Sequence, residues 1–168
     1  MPKDPAWDSY PTIEISLTDQ TLTLWPSASV PPVIYPVSTA LNGAGERNGS
    51  GCTPRGKHRI RAVIGAGQPL NTVFVGRRPT GEILTPELAA RYPERDWILT
   101  RILWLSGCEP GRNRLGQVDS FRRFIYIHGT PDSEPMGVPK SHGCVRMRNN
   151  QVEELFSQVQ PGTPIYIS

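Results

Sequence analysis

The sequence predicts a mainly β protein, a β-sandwich of mixed or antiparallel sheets with a few short helices. Three observations predict it. Apolar and polar residues alternate in several short runs, the period of a half-buried strand. The chain carries 16 glycines and 18 prolines in 168 residues, so turns break these runs at short intervals. Helical periodicity is confined to two brief stretches near Glu87 and Glu153.

Taken in order, Met1 to Pro11 holds three prolines and is expected to be irregular, leaving residues 1–12 as an arm and 13–168 as one domain. Ile13-Glu14-Ile15-Ser16-Leu17 alternates as a strand. Thr18 to Thr21 turns, and Leu22-Thr23-Leu24-Trp25 answers as its partner. Pro31-Pro32 interrupts the chain before Val33 to Val37, where Pro36 lacks an N–H and marks an edge or a strand end. Asn42 to Gly56 reads as a glycine-rich surface loop. Its Gly43-Ala44-Gly45-Glu46-Arg47-Asn48-Gly49 misses the dinucleotide-binding glycine spacing, and no Gly-Lys-Ser/Thr follows. Lys57 to Ile64 and Thr72 to Val75 return to a strand pattern.

Thr85 is the expected N-cap of a short helix, with Pro86 at its first position. Trp97 to Leu105 is the longest apolar run and predicts a central buried strand. Gly107 to Arg123 is charged and contains glycine; its length predicts a lid or substrate-facing loop at the border of a cleft. Asn150 with Glu153 three positions on predicts a capped helix start. Val152, Leu155, Phe156 and Val159 then form one apolar stripe. A Pro-Gly turn at 161–162 leads to a last strand, Ile165 to Ile167.

Composition excludes several classes. The net charge is +3, from 18 basic and 15 acidic residues, and no basic run reaches five, so nucleic acid is not an expected partner. No stretch approaches 18 apolar residues, so no membrane span is expected. The first residues show no signal-peptide pattern. A cytoplasmic location is expected if the chain is full length, a periplasmic one if an export segment was removed. Three cysteines, an odd number, fit a reducing compartment.

The chemistry concentrates between Phe124 and Arg146. A short apolar run, Phe124 to Ile127, delivers His128-Gly129. A polar loop with prolines follows and ends in Ser141-His142-Gly143-Cys144-Val145-Arg146. A thiolate is a strong nucleophile, but an ordinary thiol is mostly protonated at neutral pH, so it needs a base. His128 at a strand end is a rigid base, and Cys144 lies 16 positions later, far enough for the loop to curl back. Gly143 lets the chain turn tightly, so that successive N–H groups converge on an oxyanion. Arg146 presents a fork that suits a carboxylate.

With these residues the chain resembles the L,D-transpeptidase catalytic domains. They share a histidine followed by a small residue, a gap of about fifteen residues, then Ser/Thr-His-Gly-Cys, one apolar residue, and Arg or Asn. Upstream, Pro36-Val37-Ser38-Thr39 and Thr53-Pro54-Arg55-Gly56 look like that family's strand end and Thr-Pro-x-Gly turn. The resemblance implies that Cys144 is the acyl-accepting nucleophile and His128 its base, oriented by the Gly129 carbonyl. It implies that His142, Gly143 and Cys144 form the oxyanion pocket, with Ser141 in the loop and Arg146 holding substrate. It also implies a peptidoglycan stem peptide or soluble muropeptide as substrate, cleaved between an L-centre (diaminopimelate) and D-alanine. Carbapenem-type inhibitors are implied as covalent ligands, and no cofactor or metal is. Water as acceptor makes an L,D-carboxypeptidase of murein recycling, the expectation for a chain without an export signal. An amine acceptor makes a cross-linking or exchanging L,D-transpeptidase.

Two other classes compete. A zinc site would draw on His128, His142 and Cys144, but the close ligand pairs of structural zinc are missing from the sequence. A module that only binds wall peptides would not need a thiol and a base together. Cys52, Cys108 and His58 are expected to be non-catalytic, and Trp104 and Tyr126 to be packing residues.

Overall fold

The computed structural model describes residues 9–168. The arm expected over 1–12 therefore lies outside the described residues for 1–8, and Thr12 already belongs to the first strand. The strands are β1 (Thr12–Ser16), β2 (Thr21–Trp25), β3 (Val33–Pro36), β4 (Gly56–Ile64), β5 (Thr72–Val75), β6 (Arg78–Ile83), β7 (Ile98–Gly107), β8 (Tyr126–Gly129), β9 (Val145–Met147) and β10 (Pro164–Ile167). Among the described residues, two α-helices, α1 (Pro86–Arg91) and α2 (Asn149–Gln158), and one 3-10 turn, Gly116–Val118, complete the regular structure.

All ten strands join one mixed sheet, ordered β3-β2-β1-β10-β4-β7-β5-β6, with β8 and β9 branching from β7. β1 runs parallel to β10 and β8 parallel to β9; the remaining pairs are antiparallel. Pro36 closes the edge strand β3, where its missing N–H costs no ladder bond. The long apolar run forms β7, the hub. Leu99 pairs with Val73 on one side and Gly129 on the other, so β5 and β8 lie on opposite edges of β7. β4 pairs further along β7, on the edge that β5 occupies. The chain leaving β3 then bonds to β9: Ser38 and Arg146 exchange both main-chain hydrogen bonds, at 3.0 and 2.9 Å. One end of the strand path thus reaches the end of the branch, and the sheet curls.

Alternation sorts the side chains of the hub to two faces. Leu103 and Leu105 enter the main core with Ile13, Ile15, Leu22, Leu24, Ile165 and Ile167. Ile127 of β8 and Val145 and Met147 of β9 join them, as do Val152 and Leu155 of α2. Each such fully buried aliphatic side chain contributes about 1.5–3 kcal/mol of transfer free energy. Ile102 and Trp104 face the other way, with Phe74, Tyr126 and Cys144. His128 shares the parity of Tyr126, and Arg146 alternates with Val145 and Met147. The second face is where the chemistry collects.

α1 starts as its sequence predicts: Thr85 accepts the Leu88 N–H, and Pro86 opens the helix. α2 differs. It begins at Asn149, its N-cap is Arg148, and no side chain caps it. Asn149, not Asn150, does the tying: its amide donates to the Thr130 carbonyl at 2.8 Å and to Asp132 at 3.2 Å, and its oxygen accepts from Thr100. Glu153 turns to Arg101 instead of the helix start. The hairpin strand β6 and the short β9 were not predicted.

The segment from Gly107 to Arg123 is pinned to the domain body instead of standing as a lid. Buried Asn113 donates to the carbonyls of Arg55 and Lys57 and accepts the Glu109 N–H. Asp119 receives the N–H groups of Leu115 and Arg122. Ser120 bonds His58, and Arg123 donates to the carbonyls of Gly45, Glu46 and Cys52.

Candidate active site

The register of two short parallel strands builds the site. Ile127 pairs with Val145, His128 with Arg146 and Gly129 with Met147. Cys144 is the residue just before β9, diagonal to His128 and on its face. Strand spacing and rise put their α-carbons about 8 Å apart, within reach of an imidazole and a thiol turned toward each other.

His128 is buried, and its Nδ1 lies 2.6 Å from the Gly129 carbonyl. A carbonyl only accepts, so Nδ1 carries the hydrogen and Nε2 holds the lone pair. Nε2 has no hydrogen-bond partner among the described residues. Burial pushes the pKa of His128 below the ordinary histidine value. The ring is therefore neutral at physiological pH, the form a base requires.

Gly129 is dictated by packing. A Cβ there would overlap Asn149 Oδ1 and lie 2.7 Å from the Leu99 carbonyl. The absent side chain lets β8, β7 and the start of α2 close together just behind the imidazole.

Cys144 is half-buried. Its thiol donates to the Phe124 carbonyl and accepts the Tyr126 N–H, each at 3.3 Å. Burial pushes the thiol up to about 11, against the opposing pull of the Tyr126 N–H. Thiol and imidazole thus rest as a neutral pair rather than an ion pair. No hydrogen bond joins them in this resting arrangement, in which the thiol is engaged with Phe124 and Tyr126.

The turn before Cys144 is held by hydroxyls. Ser141 Oγ donates to the Cys144 carbonyl at 2.6 Å and accepts the Gly143 N–H at 3.2 Å. Buried Thr53 donates to the Gly143 carbonyl at 2.9 Å and accepts the Ala40 N–H at 3.0 Å. Gly143 has φ +133°, a conformation side chains disfavour, and a Cβ there would press on the Cys52 carbonyl at 3.2 Å. This corrects one expectation. The Gly143 N–H is taken by Ser141, while those of His142 and Cys144 have no hydrogen-bond partner among the described residues. Thr53 went unread as a site residue although its Thr-Pro-Arg-Gly turn was visible; a contact spanning 90 residues has no local signal.

Arg146 departs further from expectation. Its guanidinium bonds Asp96 Oδ1 at 2.9 Å and approaches Glu134 at 3.9 Å, with a tenth of the side chain exposed. Two carboxylates from two loops already occupy the fork that was to hold substrate. His142 lies at the rim, 77% exposed, with Nδ1 3.4 Å from Asp96 Oδ2. Asp96 thus links the residues two before and two after the cysteine, and sequence reading did not find it.

Trp104 stacks on Phe121 at 4.0 Å and meets Tyr126 edge-on, packing as expected. Cys52 and Cys108 are free, half-buried thiols. Among the described residues no three His, Cys, Asp or Glu side chains converge to hold a metal ion. No helix there is long and apolar enough to cross a membrane.

His58 is a core residue: fully buried, with Nδ1 3.0 Å from the Gly56 carbonyl and Nε2 2.8 Å from Ser120 Oγ. Burial lowers its pKa to about 4. The unfolded chain protonates this histidine near 6.5, the folded one only near 4. Between those values the unfolded state binds more protons, so stability falls as pH falls through that window. The loss is about 3 kcal/mol once both values are passed. Thermal melts from pH 7 to 4 are expected to show it, and His58→Gln to flatten the slope while lowering stability at pH 7.

Curled sheet, cysteine, oriented histidine and braced glycine turn together define a class, that of cysteine acyltransferase domains. The chain belongs to the YkuD family, the L,D-transpeptidase catalytic domain, whose family model matches residues 10–167. Among curated relatives it is 24% identical over 155 residues to the probable L,D-transpeptidase YcfS of Escherichia coli K12, covering 92% of this chain and 43% of that protein. It is 31% identical over 122 residues to the probable L,D-transpeptidase YbiS of the same strain, covering 67% of this chain and 39% of that one. The chain thus spans less than half the length of these relatives. Among solved structures it is similar to L,D-transpeptidase 3 of Mycobacterium tuberculosis in complex with a faropenem-derived adduct. The TM-score is 0.55 at 16% identity, covering 94% of this chain and 60% of that one, a likeness of fold.

Proposed function

We propose that this domain cleaves the bond between the L-centre and D-alanine of a peptidoglycan tetrapeptide stem, through an acyl-enzyme on Cys144, with water as the acceptor. One observation carries the reading: Cys144 sits diagonal to a neutral His128 whose Nδ1 is tied to Gly129, beside a turn with N–H groups to spare. In the first step the thiol proton passes to His128 Nε2 as sulfur attacks the carbonyl. The developing oxyanion takes the N–H groups of His142 and Cys144. As the C–N bond breaks, the imidazolium returns the proton to the leaving D-alanine amine. Water, deprotonated by the same nitrogen, then releases the tripeptide and restores the thiol. The largely exposed rim at His142 supports water as acceptor, since solvent reaches the acyl-enzyme with no second partner docked. On this reading the enzyme serves wall recycling. Transfer to an amine is the second reading, favoured by the names of the relatives, all L,D-transpeptidases. Incubation with a muropeptide tetrapeptide, followed by mass spectrometry, separates them. Tripeptide as sole product is the expected result; cross-linked dimer or D-amino-acid exchange would favour transfer, and no turnover would sink both.

A further inference from the structure

Arg146 and Arg123 act on Cys144 electrostatically, and Arg77 lies on the aromatic shelf beside it; the three are not equivalent. Arg146 is neutralised by Asp96 and Glu134. Arg123 is consumed by the carbonyls of Gly45, Glu46 and Cys52. Among the described residues Arg77 has no carboxylate partner. Its guanidinium lies 4.9 Å from the Trp104 ring centroid and 5.0 Å from that of Phe124, and it donates to Tyr126 Oη at 3.2 Å. Two of the three residues that hold it also hold the sulfur. Phe124 offers its carbonyl to the Cys144 thiol, and Tyr126 its N–H.

The backbone sets this arginine apart as well. Val75 pairs with Arg78, so Gly76 and Arg77 form a two-residue hairpin turn, with φ of +56° and +64°. Such turns take glycine, asparagine or aspartate at both places, because other side chains resist positive φ. An arginine held there, at the tip of an exposed hairpin, is aimed inward across the aromatic shelf beside Cys144. The shelf is open: Phe124 is half exposed.

We propose that Arg77 is the anchor for the terminal carboxylate of the substrate, taking the part that Arg146 would have played. This rests on the stem-peptide reading above, in which the residue leaving Cys144 is a D-amino acid with a free carboxylate. The aromatic faces pre-orient the guanidinium without quenching its charge, and the fork keeps N–H groups available for a planar anion. Asp96 and Glu134 would repel a carboxylate at the other end of the site. The two ends therefore fix the direction in which the peptide lies.

The test compares a tetrapeptide ending in a free D-alanine carboxylate with the same peptide amidated at that terminus. Wild type is expected to prefer the free acid about 10- to 100-fold in kcat/KM, the range of one charge-assisted hydrogen-bonded contact. Arg77→Gln is expected to erase that preference, through KM for the acid. Arg77→Lys keeps a point charge without the fork and is expected to retain an intermediate preference. Thermal melts establish that both variants are folded. A wild-type preference that survives Arg77→Gln, or no preference in wild type, overturns the anchor alone. Failure of wild type to process either peptide overturns the stem-peptide reading beneath it.

Discussion

Cys144→Ala is expected to abolish turnover of a stem tetrapeptide, by at least about 10⁴-fold, because no other group near the site can form the acyl bond. The same substitution is expected to remove any covalent carbapenem adduct, read by intact-protein mass. Wild type should gain one acyl group and the variant none. The reasoning is geometric before it is electronic. Cys52 and Cys108 are also free thiols, but neither lies across a strand pair from an imidazole with a vacant lone pair. An adduct that persists on Cys144→Ala would place the nucleophile elsewhere and end the mechanism proposed above.

Gly129→Ala is expected to cost about 3 kcal/mol or more, the upper range for forcing atoms into packed space. The new methyl group would overlap Asn149 Oδ1, lie 2.7 Å from the Leu99 carbonyl and 3.1 Å from Thr100 Cβ. Two of those three groups belong to β7, the hub strand, which cannot move without disturbing β4, β5 and β8. Shifting Asn149 instead would break its bonds to Thr130 and Asp132 and loosen the start of α2. For a domain of this size the loss corresponds to a melting temperature lower by about 6–12 °C. Denaturant unfolding measures it directly. A loss under about 1 kcal/mol would mean that the packing behind His128 is slacker than the distances indicate.

Legibility followed the range of the physics. The hairpin of β1 and β2, the hub β7 and the capped start of α1 were readable because alternation, apolar run length and capping are local properties. β6 was not: all six of its residues are exposed, so it lacks the buried face that makes period two visible. Its turn, Gly76-Arg77, also lacks the usual second glycine or asparagine. The start of α2 was misplaced by two residues because Asn150 looks like a cap, while Arg148 holds that position and Asn149 engages strands far away in sequence. In the Gly107 to Arg123 segment, length alone suggested a lid. Only the buried Asn113 and Asp119 contacts reveal a pinned excursion.

By itself the order of residues determined which side chains the site contains: a thiol, an imidazole and a glycine turn in a spacing that a strand, a loop and a second strand must bring together. It determined the mainly β character too, since period and turn content are written along the chain. Only tertiary structure decided what each group has left to offer. Arg146 lost its free fork to Asp96 and Glu134, Gly143 lost its N–H to Ser141, and Thr53 and Arg77 arrived from turns distant in sequence. A sequence names donors and charges, but hydrogen bonds and ion pairs saturate through space, and the unsatisfied remainder is known only once every partner is in place.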